Sequence, residues 1–251
     1  MDAVYAILFL MLGLLLGSFY NVVGLRVPLK QSIVYPNSHC PHCKRELGPL
    51  ELIPVLSYLF LKGKCRNCKA PISILYPFIE LLTGLLFMYA YLYFGFSNEL
   101  VVSFLLISLL SIIIVTDLKY MLIPNKILIY FLVFLLVYRV FSPLDPWWNP
   151  YAAGVGVSLF LLLVAILSKG GMGGGDIKLF FVIGIALGFP NVLLTFFLAT
   201  IIGAVIGMIG IFLGRIKKRQ AIPFGPFIAL GALLSLFYGE QIMQWYFDIL
   251  W

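Results

Sequence analysis

Long apolar runs constrain this chain more than any single motif does. Eight of them follow one another: approximately Ala3 to Leu25, Ile72 to Phe94, Leu100 to Thr116, Leu122 to Phe141, Tyr151 to Ser168, Ile177 to Phe189, Val192 to Leu213 and Phe224 to Phe237. A helix needs about 20 residues to cross a hydrocarbon core of about 30 Å, so the expected fold is an all-α polytopic membrane protein with about eight transmembrane helices. The sixth run is short and is expected to be tilted, buried or extended into the glycines before it. The last is expected to continue towards Trp251. Composition leaves no water-soluble reading, because only 11% of residues are charged and 63% are hydrophobic, against about 25% charged in an average soluble domain.

Lys and Arg gather on the cytoplasmic side of a bacterial membrane. With the amino terminus outside, all of the 17 Lys and Arg except Arg139 fall on inward-facing connections. The acidic positions Asp2, Glu99, Asp145, Glu240 and Asp248 then lie outside. The net charge of +7 follows from that orientation, and nucleic acid is not needed to explain it. The first run has no basic segment before it, and Arg26 and Lys30 come after it, so it reads as a retained anchor inserted amino terminus first. The expected location is the cytoplasmic membrane, with both termini outside. The expected organisation is a first transmembrane helix over 1–25, a cytoplasmic metal-binding loop over 26–71 and a seven-helix membrane core over 72–251. Gly13 and Gly17, and Gly203, Gly207, Gly210 and Gly214, stand at helical spacing and are read as helix-packing positions.

The loop carries all four cysteines, Cys40 with Cys43 and Cys65 with Cys68, with 21 residues between the two CxxC pairs. Two such turns can point four thiolates at one centre, the shell that a structural zinc prefers. The alternative, two disulfides, conflicts with a reducing cytoplasm. Zinc is the default, and spacing alone leaves an iron centre open. A loop of this size buries little core, so an ion would contribute folding free energy. His39 and His42 flank the first pair and are read as lining residues, four sulfurs being sufficient.

Glu80, Asp117 and Asp176 are acids in or beside the apolar runs, where an ionisable group costs several kcal/mol unless paired or wetted. Asp117 ends the third run and Asp176 opens the sixth, so both are expected near the cytoplasmic boundary on different helices. Two carboxylates at one depth suit an aspartyl protease: the ionised one takes a proton from water, and the protonated one donates to the developing oxyanion. Gly173, Gly174 and Gly175 before Asp176 permit a close backbone approach that an extended substrate strand would use, or form only a turn. Both histidines lie in the loop, so no Ser-His-Asp arrangement can form within the spans. There is no HExxH and no phosphate-binding GxxxxGK motif. A plain ion pair of Asp117 with Lys119 is the bland alternative.

Thr116, Asp117, Leu118 and Lys119 with Ile123, Pro124 and Asn125, and then GGGDIK from Gly173 to Lys178, resemble the two catalytic motifs of the type IV prepilin peptidases. Gly17, Ser18, Phe19, Asn21, Arg26 and Pro28, the paired CxxC turns, and Tyr76, Pro77 and Glu80 look like the same family. The overall run of sequence is similar to late-competence members from Gram-positive bacteria. The resemblance implies a GxGD-type intramembrane aspartyl protease with Asp117 and Asp176 catalytic, supported by Gly173, Gly174, Gly175 and Lys178. It implies prepilin or competence pseudopilin substrates, cut on the cytoplasmic side between a basic leader ending in Gly and an apolar helix. It also implies methylation of the new amino terminus with S-adenosylmethionine, for which Glu80, Asn21 and Arg26 are candidates or else buried structural groups. A transporter using the same carboxylates, and a methyltransferase without proteolysis, are the competing classes.

Overall fold

The computed structural model describes residues 2–168, 171–215, 217, 220 and 222–250; Lys169, Lys218 and Arg219 of the basic set, with Trp251, lie outside them. Among the described residues there is no strand, only two isolated bridges, His39 with Glu46 and Lys64 with Pro71. All eight apolar runs are helical. They are α1 (Asp2–Arg26), α3 (Leu75–Phe94), α4 (Asn98–Tyr120), α5 (Asn125–Phe141), α6 (Asn149–Leu167), α7 (Gly174–Leu187), α8 (Phe189–Phe212) and α9 (Gly225–Leu250), with a short α2 (Leu56–Phe60) in the loop. Six of them are long and apolar enough to cross a bilayer; α5 and α7, at 17 and 14 residues, are shorter. The chain is a multi-pass membrane protein of two compact units, Met1–Lys119 and Tyr120–Trp251.

In the first unit α1 and α3 run antiparallel at very short range, because glycines remove the side chains that would separate them. A Cβ on Gly13 would stand 2.7 Å from the Thr83 carbonyl oxygen, and one on Gly17 2.8 Å from the Glu80 Cα. The central helix is α4, with 78% of its apolar window buried. Such an interior still needs its polar groups paired. Tyr20 shares a 2.6 Å hydrogen bond with Ser108, and the Thr83 hydroxyl donates to Ser111 at 3.1 Å. Phe87 and Phe104 stack with ring centroids 4.3 Å apart.

In the second unit α7 is the buried element. From Leu179 to Leu187 every residue except Phe181 is buried, which explains how 14 residues, about 21 Å of helix, suffice where lipid would demand more. Its Gly184 rests on Gly154 of α6, where a Cβ would meet backbone atoms at 2.7 Å. Gly188, at φ +78, makes the sharp turn into α8, and the Phe189 N–H donates to the Asn149 side chain at 2.8 Å. Arg139, the one basic residue expected on the outer side, lies in the last turn of α5 and is 2% exposed. There it donates to the carbonyl oxygens of Ser142 and Ala186, tying the carboxyl-terminal ends of α5 and α7 together. The last run continues as expected, since α9 reaches Leu250.

Candidate active site and cysteine centre

Asp117 lies in the last turn of α4 and is 6% exposed. Behind it, the Thr116 hydroxyl turns back to the Ile113 carbonyl oxygen at 3.1 Å, so its polarity is spent within the helix. The chain then turns through Met121, at φ +50, to Ile123, Pro124 and the start of α5 at Asn125. Asp117 belongs to the first unit and Asp176 to the second.

Asp176 is the third residue of α7, in the first turn, where the helix dipole favours a negative charge. Gly173 leaves a bare Cα beside the carboxylate: a Cβ there would sit 2.9 Å from Asp176 Oδ2. Gly175 packs on Ile123, whose Cβ would be 3.0 Å from an added Cβ. One turn on from the glycines, Lys178 Nζ donates to Asn125 Oδ1 at 3.0 Å. The glycine-rich approach to α7 is thus fixed to the Ile123–Asn125 turn at two points, one by packing and one by a hydrogen bond.

Glu80 is 8% exposed on the second turn of α3. Its Oε2 accepts the Val55 N–H at 2.7 Å. Val55 stands at φ +61 and ψ −51, and the Leu56 N–H donates to the Pro54 carbonyl oxygen at 2.6 Å. That is a γ-turn of the rare strained kind, with a β-branched residue at its centre. Asn21 Nδ2 donates to the carbonyl oxygens of Gly17 and Tyr76, while Arg26 donates to those of Ser32 and Asn37. The three candidates grouped by sequence therefore hold separate backbone segments. Beside Arg26 lies a cleft of about 350 Å³ bordered by Phe19, Val34, Asn37, Leu47 and Leu52.

The four cysteines converge, their Sγ atoms all within 4.8 Å of one another. Cys40 to Cys68 is 3.7 Å and Cys43 to Cys65 is 4.0 Å, and no disulfide joins them. Four sulfurs about 2.3 Å from one tetrahedral ion stand about 3.8 Å apart, so the cluster fits a metal ion. It is built from two copies of one turn. Cys40 N–H donates to Arg45 O and Lys44 N–H to Cys40 O; 25 residues on, Cys65 N–H donates to Ala70 O and Lys69 N–H to Cys65 O. Lys44 and Lys69 take matching left-handed conformations, φ +55 and +60. Backbone N–H groups aimed at sulfur favour thiolate: that of Arg45 is the main cause drawing Cys43 down to about 6, and those of Cys68 and Asn67 lower Cys65. At Cys68 the Ala70 N–H pulls the same way, but burial and the three neighbouring sulfurs push it up to about 11. Arg45 also pairs with Glu51 at 2.5 Å, and Glu51 accepts the Gly48 N–H at 2.9 Å, bracing the first turn.

Sequence reasoning had no signal for Val55, since nothing marks a valine for positive φ. Arg139 was visible as a charge inside the fourth apolar run, on the outer side, but its burial and its carbonyl partners were not. Asn125 stood out in the sequence only as part of a motif, with nothing to mark its bond to Lys178.

A multi-pass helical protein with a four-cysteine centre and an aspartate in the first turn of a buried, glycine-led helix is the class that the fold defines. Comparison with known proteins narrows it: residues 11–94 match the Bacterial Peptidase A24 N-terminal domain, and residues 104–208 match the Type IV leader peptidase family. The chain is 50% identical over 234 residues to the prepilin leader peptidase/N-methyltransferase of Bacillus subtilis (strain 168), covering 93% of this chain and 94% of that one. It is 35% identical to the protein of that name from Pseudomonas aeruginosa over 94% of this chain and 91% of that one, and 33% identical to the one from Legionella pneumophila over 93% and 91%. The chain belongs to the type IV leader peptidase family. No solved structure gives a significant match.

Proposed function

We propose that this protein is an intramembrane aspartyl endopeptidase that removes the basic leader of type IV prepilin-like proteins, and that it then N-methylates the new amino terminus with S-adenosylmethionine. In this reading Asp117 and Asp176 act as a pair near the cytoplasmic face. One, ionised, takes a proton from water as the oxygen adds to the scissile carbonyl; the other, protonated, donates to the oxyanion. Collapse breaks the C–N bond, and the leaving nitrogen takes up a proton as the amine. Competence pseudopilins are the substrates that the sequence resemblance favours.

The observation that carries the reading is the seating of Gly175, next to Asp176, on Ile123. Asp117 precedes Ile123 by six residues, a stretch that spans at most about 22 Å even when fully extended. A bare Gly173 beside the Asp176 carboxylate leaves room for an extended substrate backbone. The Lys178–Asn125 bond steadies that approach. The distribution of Lys and Arg supports termini outside and a cytoplasmic cysteine centre. The matching turns and the 3.7 and 4.0 Å sulfur separations support Zn²⁺ bound by Cys40, Cys43, Cys65 and Cys68 in a structural role.

For the methyl donor, the cleft at Arg26 lies within the size range of small-molecule sites, and Phe19 and Arg26 would hold the ligand there. S-adenosylmethionine, when bound, supplies the methyl group. Glu80 is better suited to holding the loop, since its carboxylate is already engaged by the Val55 N–H.

The test is leader removal from a prepilin by purified protein, with products weighed by mass spectrometry. Asp117→Asn and Asp176→Asn should each lower cleavage by about 10²-fold or more while the protein still accumulates in the membrane. Normal cleavage by either variant would overturn the dyad.

A further inference from the structure

The connection between α1 and α3 reads in sequence as an aqueous loop, yet one residue of it, Val55, is bonded to a side chain within α3. The 20 residues of α3 make about 30 Å of helix, just the thickness of a hydrocarbon core, so no turn of it is spare. Glu80 stands five residues inside its start, about 7.5 Å along the axis. Glu80 accepts the Val55 N–H at 2.7 Å, and its Cα packs against Gly17, nine residues, about 13.5 Å, inside the end of α1. The Glu80 side chain leans towards the start of α3, so Val55 meets it alongside the first turns of that helix.

From that point α2 presents Leu56, Leu59 and Phe60, at positions i, i+3 and i+4, on one face; they are 51%, 63% and 83% exposed. Immediately afterwards the chain reverses through Lys62 and Gly63, at φ +51 and +67, and goes on to Lys64 and Arg66. An apolar tip flanked by basic residues is the pattern of a segment resting in the interface of an anionic membrane. Residues 26–74 hold eight Lys and Arg against two Glu, which suits anionic headgroups above such a tip.

We infer that Ile53–Phe60 is a re-entrant wedge, seated in the leaflet nearest the cysteine centre, with Leu56, Leu59 and Phe60 against lipid acyl chains. Non-helical backbone at that depth is tolerated only where protein satisfies it, and Glu80 does so for Val55. The γ-turn at Val55 is the bend through which the chain enters α2. This inference does not depend on the protease reading.

The experiment uses the full chain reconstituted in phosphatidylglycerol and phosphatidylcholine vesicles. Phe60→Trp is conservative at an 83% exposed position, and the unsubstituted protein supplies the background of its 4 native tryptophans. The emission added by the substitution should be blue-shifted. It should lose more intensity to lipids brominated near the top of the acyl chain than to aqueous iodide. Quenching by iodide and not by bromolipid would place the segment in water and overturn the wedge. Quenching by neither would mean that protein covers it, a second copy or a bound substrate, and would overturn it equally.

Discussion

Glu80 holds a strained valine from within an apolar span, and the cost of that arrangement can be measured. Glu80→Gln keeps an oxygen to accept the Val55 N–H, whereas Glu80→Leu leaves a part-buried donor unpaired, at up to about 1–3 kcal/mol. Thermal unfolding in detergent should show a clear fall in Tm for Leu and a small change for Gln. Equal losses would mean that the charge, and not the hydrogen bond, matters. Lys178 offers a second test. Lys178→Met removes the bond to Asn125 and should lower kcat for leader removal by about tenfold to a hundredfold through misplacement of Asp176, with Lys178→Arg recovering part of it. An unchanged kcat would refute the positioning role. At this scale the chemistry-bearing residues were legible because their types are costly where they stand: acids in apolar runs, and cysteines in pairs. Partners were not legible. The Val55–Glu80 bond joins residues 25 apart through a backbone group, and no side-chain pattern announces a backbone donor.

The helices themselves could be read almost in full, since each apolar run became one, from α1 to α9. Sequence could not say which of them touch lipid. A buried helix and a lipid-facing helix are equally apolar, so only the shortness of the run hinted that α7 is enclosed. Close packing carries a clear expectation here. Gly184→Leu would drive a side chain into backbone atoms of Gly154 at 2.7 Å, where neither helix has a flexible group to yield. Overpacking of this kind costs about 1–3 kcal/mol. The variant should unfold at lower temperature and lose leader removal, while Gly156→Leu, whose Cβ would meet only a Phe189 ring atom at 3.7 Å, should be tolerated. Similar behaviour of the two would show that α6 and α7 are not pressed together at Gly184.

Across the whole molecule, orientation and metal are the properties most open to test. A tag fused after Trp251 should be cut by protease added outside spheroplasts, as the basic-residue asymmetry requires; protection of the tag would reverse the topology. Elemental analysis should find one zinc per chain, lost when Cys40 and Cys65 are both replaced by Ser, and unchanged metal content would rule out this centre. The two-copy construction of the cysteine turns carries a mechanical consequence. The ion would clasp Cys43 to Cys65, and the 21 residues between them include the whole of Ile53–Phe60. Those residues form a short tether whose ends are pinned at one point, which restricts how far its tip can wander. Opening the clasp by chelation should therefore loosen the grip of the tip on the bilayer although no ligand touches lipid, so the fluorescence of a tryptophan at position 60 would serve as a remote gauge of metal occupancy.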